Sequence, residues 1–492
     1  MTFRNLTPLP CQFITAKTPE GPERDVVIIR ATLDLVPAGA EARAKGHTHA
    51  LKLAQEQRPL VVTDVHAGDL ARSSMLWESD LAPVKPRCDV VVLGQAYAPA
   101  GRLRRRFTVG LRLRAPDQER PLPELTGPLA PGMEAEEECR WLRQVQWAHA
   151  HPIPGETILD KRLQVTGPRW LERRALPFRA LGWLVRAATF GLVGPCSWKL
   201  TSPRPVASVP LRYELSFGGW LQVRPGDPGF RRVPRRHWRP GAEPKALARA
   251  AAQGQAPGVL AEAWWDANPV GCGYVPHWLG QAARLKRLPA PRIEDPLHPF
   301  TARAFLAASR GQARLPASLG LQGMGPVTRR WASRLQYAGT WYEGWNESGK
   351  PYFPGFQDAF WNVAPPDLQC RHLEGEEVLE LTNLCPPGTS GLDRDGAGNA
   401  VLRVALPGLY PYLLMGSESG RLSYVTAVLD TLVVEPEEAR VTLVFRASYP
   451  DRPQPLGVEL GLVLAGQDDC FGAVPAVEDE PAASPVETGH AR

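Results

Sequence analysis

VIIRATLDL, residues 27–35, puts Val27, Ile29, Ala31, Leu33 and Leu35 on one side of the chain and Arg30, Thr32 and Asp34 on the other. A backbone that sends successive side chains to opposite faces produces that spacing, so the stretch reads as a strand with one buried face. Phe107, Val109, Leu111 and Leu113 alternate in the same way with Thr108, Gly110, Arg112 and Arg114. Between the two, Val90–Leu93 is an unbroken apolar run suited to a strand covered on both faces, and turn residues from Gly94 to Gly101 close it. The last third returns to this pattern in Val401–Leu406, Leu422–Val434 and Val441–Ala447. The short polar link Glu435–Arg440 predicts a hairpin for the final pair. The expected fold is mainly β, with sheet-rich, sandwich-like N- and C-terminal regions joined by an irregular middle with short helices.

That reading divides the chain. Residues 1–215 form a β-rich region with a helical insertion near 133–150, where Glu134 and Glu136–Glu138 lead and His149 and His151 follow, as a helix dipole favours. Residues 216–330 are rich in Arg, Pro and Gly, with short helices predicted at Pro244–Gln253 and Ala302–Arg310. Residues 331–472 hold an aromatic-rich segment and the C-terminal β region. Residues 473–492 are an acidic, proline-rich tail with too little apolar surface to fold. The apolar stretch 180–198 is interrupted by Gly182, Arg186, Gly191, Gly194 and Pro195, so it reads as a packed helix; a span needs about 20 apolar residues in a row.

The N-terminus MTFRNLTPLP shows no basic region followed by an apolar run, which places the expected site of action in the cytoplasm, with no membrane partner. Eight cysteines are scattered without a C-x-x-C pair, the pattern of reduced thiols rather than of disulfides or zinc. The net charge of +6 combines a tail from Gln467 at −5 with a body at +11. Charge of that size favours acidic partners. The 48 arginines against 9 lysines come with abundant Ala, Gly and Pro, a coding bias that weakens any inference toward nucleic acid.

Sites for chemistry are scarce. His47 and His49 have the spacing of two metal ligands, but they adjoin a stretch, Gly39–Gly46, that reads as an exposed loop without further ligands. Gly416–Gly420 resembles a nucleophile elbow with Glu418 where the serine should stand. Ser73 and Ser74 have His66 nearby in sequence only, and Glu294–Asp295 sits in a proline-bracketed turn that solvation explains. Arg212 and Glu214 read as an ion pair on one strand face. No catalytic, cofactor or metal residues are assigned. Ten aromatic residues from Trp331 to Trp361 stand out, interrupted by Pro and Gly. They read as a mostly packed region with a few exposed anchors. Trp341, Tyr342 and Trp345, together with Asp367 and Gln369 behind the stiff pair Pro365–Pro366, are the candidate partner-binding residues.

Seven segments occur in a fixed order: NLTPLP from Asn5, SDLAPVKPRCDVVVLGQAYAP from Ser79, SVPLRYELSFGG from Ser208, NPVGCG from Asn268, GPVTRRW with LQYAGTWYEGW from Gly325, FWNVAPPDLQC around Trp361, and LDTLVV with RVTLVFRA ending at Ala447. In this order they resemble a bacterial family of formerly uncharacterised domains encoded beside type VI secretion genes, whose members are effector adaptors or chaperones. The chain departs from that pattern in a longer region between Pro116 and Asp160 and in having no pentapeptide-like repeats after Cys470. The resemblance implies a non-catalytic cytoplasmic adaptor. It would hold a type VI effector by its spike-tip-like or N-terminal region and help load it onto the trimeric spike. The alternative, from another class, is a carbohydrate-active or other hydrolytic enzyme with a site built from distant residues.

Overall fold

A computed structural model describes residues 2–17, 23–70, 72–116, 154–174, 197–341, 352–417, 422–450, 455–464 and 470–471. The helix expected at 133–150, most of the apolar stretch 180–198, Glu418 and the acidic tail lie outside the described residues, as do Tyr342 and Trp345.

The structure is mainly β, built on three large sheets. The stretch that opens the sequence reading belongs to a 14-residue strand, Arg24–Pro37. It lies inside a seven-stranded sheet between Cys11–Ala16 and Arg440–Pro450, and the sheet continues through Val428–Glu435 and Cys88–Val92 to Gln369–Cys370. His49–Leu53 pairs with the same long strand. All contacts are antiparallel except that of Cys88–Val92 with Val428–Glu435. Cys88–Val92 is buried along its whole length, as an unbroken apolar run requires. Strands from both ends of the chain thus alternate within one sheet. The expected terminal hairpin is present, with Val434 opposite Val441 across a tight reversal.

The six-stranded sheet runs Ile293–Glu294, Thr157–Thr166, Arg106–Arg114, Val378–Thr382, Ala400–Ala405, Asp393–Arg394. In the five-stranded sheet, Gly457–Leu464 lies between Thr2–Asn5 and Leu409–Gly416, Leu422–Thr426 forms one edge, and Cys470–Phe471 also pairs with Gly457–Leu464. One core joins all three. Val27, Ile29 and Leu33 meet Val109, Leu111 and Leu163, together with Leu413 and Leu460.

Two readings change. Leu422–Val434 is two strands, Leu422–Thr426 and Val428–Glu435, in different sheets with Ala427 between them. The polar face of Arg24–Pro37 is also covered: Arg30 is 2% exposed and Thr32 fully buried, beneath the excursion that carries Leu60 and Leu81. Alternation reveals which residues share a face but not whether that face meets water.

The middle of the chain is irregular. It has a three-stranded sheet (Trp198–Leu200, Trp170–Arg173, Arg287–Pro289) and a ribbon of Trp220–Val223 with Ala261–Trp264. Helices occur at Pro244–Ala252 and Ala302–Ser309, as predicted, and at His277–Ala282. Thr301 caps the second of these by accepting the Ala304 N–H at 3.1 Å. Small apolar clusters around Phe305 and Phe230 anchor the region. Among the described residues no helix is long and apolar enough to cross a membrane.

Candidate functional site

The ordered segments converge on buried polar hubs. Asp89, in PRCDVVV, is fully buried. Its carboxylate accepts from Lys85 Nζ (2.9 Å), Asn362 Nδ2 (3.1 Å), and the backbone N–H groups of Val363 (2.9 Å) and Ala364 (3.0 Å). The last three donors come from FWNVAPPDLQC, so one carboxylate ties the two segments together. Four donors, one of them cationic, offset the cost of burying the charge. Glu78 is a second hub. Arg334 grips it with a fork, Nη1 to Oε2 and Nη2 to Oε1 at 3.0 Å each, and Arg329 adds a further hydrogen bond through Nε. Arg334 also donates to the carbonyls of Val327 and Phe360.

The remaining segments close around Tyr213 and Asn268. The Tyr213 hydroxyl donates to the Gly325 carbonyl at 2.7 Å, and its ring meets Trp331 edge-on at 5.1 Å. Burial pushes the phenol well above its ordinary pKa. The Asn268 amide donates to the carbonyls of Tyr213 and Phe217. Gly218, at φ +154, lies so close to the Asn268 carbonyl that a β-carbon would collide with it. The first glycine of the SFGG pair, Gly218, answers to that contact.

Arg212 and Glu214 do not form the expected strand-face pair. Tyr213–Leu215 is a 3₁₀ turn, and Glu214 is held by Ser74, whose N–H donates at 2.8 Å and whose hydroxyl also donates to the carboxylate. The Ser74 oxygen in turn accepts the Tyr213 N–H. A serine whose proton points at a carboxylate and whose lone pair is taken by an amide is engaged as a structural link. Glu294 is not turn-solvated: it is 2% exposed, paired with Arg169 at 2.7 Å, and accepts the Phe300 N–H. Asp295 does sit in the expected turn, facing His298 at 2.8 Å. His49 is a buried strand residue, and the supposed loop before it includes a short helix, Ala40–Ala44. Burial, then the Arg43 charge, lowers the His49 pKa. Among the described residues no three His, Cys, Asp or Glu side chains are grouped to hold a metal.

The candidate partner-binding residues are not gathered into one pocket. Asp367 pairs with the buried Lys161, and Gln369 donates to the Ala364 carbonyl at 2.7 Å within the Asp89 knot. Gln369 is half-buried in that knot, while Asp367 keeps a side chain that is 52% exposed. Trp341 is 55% exposed. It follows a short ladder in which the Thr340 N–H reaches the Pro354 carbonyl and the Gln357 N–H the Tyr337 carbonyl, both at 2.9 Å. Gly339, at φ +78, allows that approach, since a β-carbon there would lie 2.6 Å from the Pro354 oxygen. Next to the ladder Tyr352 stacks on Phe356, Phe356 meets Phe360 at a tilt, Phe360 meets Trp361 edge-on, and Trp331 is buried. The aromatic segment is therefore a packed base from which Trp341 and Phe353 (38% exposed) protrude. Sequence reasoning missed Leu335. It is 54% exposed and follows Arg334, which bolts its short helix Ala332–Leu335 to Glu78. A groove of about 530 Å³ also opens where the segments meet, walled by Trp77, Leu93, Leu211 and Arg212 and edged by Glu437 and Glu438.

The model of a bacterial family described as "Uncharacterized protein conserved in bacteria (DUF2169)" matches residues 20–123 and 129–446, most of the chain. The match includes every ordered segment from Ser79 to Arg446. No curated protein and no solved structure matches.

Proposed function

We propose, from the premise that the chain belongs to this uncharacterized bacterial family (DUF2169), that it works by binding and that its partner is a type VI secretion effector. The family's description names no activity, so the secretion role rests on the ordered segments and their resemblance to effector adaptors. One observation supports a binding role above others. Buried pairs such as Glu78–Arg334 and Asp89–Lys85 lock the frame in and beside those segments, while Leu335, Trp341 and Phe353 stay exposed on it. Rigid apolar side chains lose little entropy when covered, which is what an interface anchor needs. In this reading the protein covers an apolar part of the effector in the cytoplasm and delivers it to the trimeric spike.

Co-expression with the effector encoded beside it tests the proposal. The expected result is a higher soluble yield of effector and a complex that survives gel filtration. Unchanged effector solubility with no co-elution rules it out.

A further inference from the structure

Residues 221–288 have no part in the adaptor reading, yet they hold eleven Lys and Arg against four Asp and Glu, a net of +7 where the whole chain has +6. Of the eleven, Arg239 is paired with Glu262 and Arg287 with Glu172, and the other nine form no ion pair among the described residues. Coding bias explains how often arginine is written, not where it is left without a carboxylate. Arg30, Arg169, Arg334 and Arg446 are each buried against one. A small apolar cluster around Phe230, Val233 and Leu279 brings the nine together. Arg224 follows Val223, Arg231 and Arg232 follow Phe230, and Arg235 and Arg236 stand between Val233 and Trp238, all three of those apolar positions and Trp238 packing in that cluster. Arg284 and Lys286 bracket Leu285, which packs there too. In the helix Pro244–Ala252, Lys245 and Arg249 lie one turn apart, on the face opposite the inward-packed Leu247. Arg224 is half-buried and the other eight are exposed. An apolar centre thus carries a cationic coat.

Planar rings stand in the same coat. His237 lies flat on Trp278, with centroids 4.5 Å apart and planes within 12°, and both rings are half-buried. The Arg235 guanidinium is 5.9 Å from the Trp238 ring. Trp264 is 50% exposed at the end of the ribbon, three residues, or about 10 Å, from Ala261 in the cluster. The run Arg102–Arg106 also holds four exposed arginines without ion pairs among the described residues, but its exposed apolar member is Leu103, not a ring.

We infer that this ring-bearing cationic coat binds single-stranded nucleic acid. Guanidiniums without carboxylates follow a phosphodiester backbone, each matching phosphate with two parallel N–H donors. Bases outside a duplex stack on exposed rings. A duplex keeps its bases stacked on one another and gives the rings nothing, and the helix here brings only two cations to a groove. An acidic peptide satisfies the charge but brings no planar base to Trp264 or to the His237–Trp278 stack. If about five of the nine cations meet phosphates, the salt slope is about −3.5, a loss of about a hundredfold in affinity between about 50 and 200 mM salt.

The test is fluorescence anisotropy of labelled oligo(dT) and oligo(U), each about 15 nucleotides long, with the full-length protein. Either should bind at about 50 mM salt and weaken about a hundredfold at about 200 mM, and the tighter of the two tells DNA from RNA. The exposed double variant Arg231→Glu, Arg235→Glu should bind more than about tenfold more weakly and flatten the salt slope by about 1.4, with melting unchanged. Trp264→Ala should weaken binding about fivefold and leave the slope as it is. Arg102→Glu with Arg105→Glu reverses the same charge away from the rings and should change affinity less than about threefold. No binding of either oligonucleotide at low salt overturns the inference. So does an equal loss in the two charge-reversal variants, which would reduce the attraction to net charge. A poly(Glu) peptide of the same length that competes as well as oligo(dT), with Trp264→Ala binding normally, would assign the coat to an acidic protein instead.

Discussion

Asp89 shows what a single side chain does in this protein. Its carboxylate joins a strand of the seven-stranded sheet to the segment beginning at Asn362, and Lys85, only 5% exposed, depends on it for charge. Asp89→Ala strands a buried ammonium and frees three other donors, so it should cost about 3–5 kcal/mol in urea denaturation. Glu377 makes the opposite argument. It is nearly fully buried and accepts the N–H groups of Glu374 (2.7 Å) and Gly375 (3.0 Å), yet burial still raises its pKa. An acid with a raised folded pKa binds its proton more tightly when folded. Its contribution therefore favours folding below the unfolded pKa of about 4.5 and is lost as pH rises through the folded value. Wild type should lose stability relative to Glu377→Gln as pH rises above the ordinary glutamate value of about 4.5, as measured by paired urea titrations at each pH. A constant difference would mean that Glu377 is not the titrating group. None of this was legible in the sequence. A buried Asp and an exposed Asp are written with the same letter, and although Lys85 lies four positions from Asp89, its other donors, on Asn362, Val363 and Ala364, lie at least 273 positions away. Pattern reading assigned Glu294 to solvent and Glu214 to Arg212 because it saw only neighbours along the chain.

At the scale of elements the sequence was far more informative, because side-chain period is local. Period two located Arg24–Pro37 and Arg106–Arg114, and the link after Val434 located the terminal hairpin. What failed was continuity. Leu422–Val434 looks like one strand, since nothing in its apolar pattern marks Ala427 as the point where the chain leaves one sheet for another. The hairpin's turn offers a test. Ala439 sits at φ +49, a left-handed conformation that costs a residue with a β-carbon roughly 1 kcal/mol. Its carbonyl accepts the Leu35 N–H at 2.8 Å, so the turn cannot relax without loosening the neighbouring strand. Ala439→Gly should raise stability by up to about 1 kcal/mol, since the strain it relieves exceeds the entropy it adds to the unfolded chain. A lower midpoint of unfolding would show that the turn is not strained in solution.

Across the whole molecule the division is between a frame and the few side chains it leaves exposed. The aromatic segment was expected to contain both packed and exposed rings, and composition could not sort them. The structure does, with Trp331 at 4% exposure and Trp341 at 55%. The sorting follows from topology. Trp331 lies against Tyr213, a residue more than a hundred positions earlier, whereas Trp341 stands past the end of the Tyr337–Thr340 ladder. If the protein is an adaptor that binds through this region, the two tryptophans must fail in different ways. Trp331→Ala opens a cavity under the Tyr213 hub and should cost about 3–5 kcal/mol of stability. Any loss of binding would then follow from loss of folded protein. Trp341→Ala changes a ring that is 55% exposed and should leave melting nearly unchanged, while weakening effector capture by about 2 kcal/mol, or some thirtyfold. Phe353→Ala and Leu335→Ala should act like Trp341→Ala with smaller effect, because each contributes less apolar area. Melting and effector binding measured on the same four variants separate these outcomes. If all three exposed positions bind normally, recognition lies on another face, and the groove between Trp77 and Glu437 becomes the next surface to change. If Trp341→Ala melts like Trp331→Ala, the ring is part of the frame in solution and cannot be the anchor.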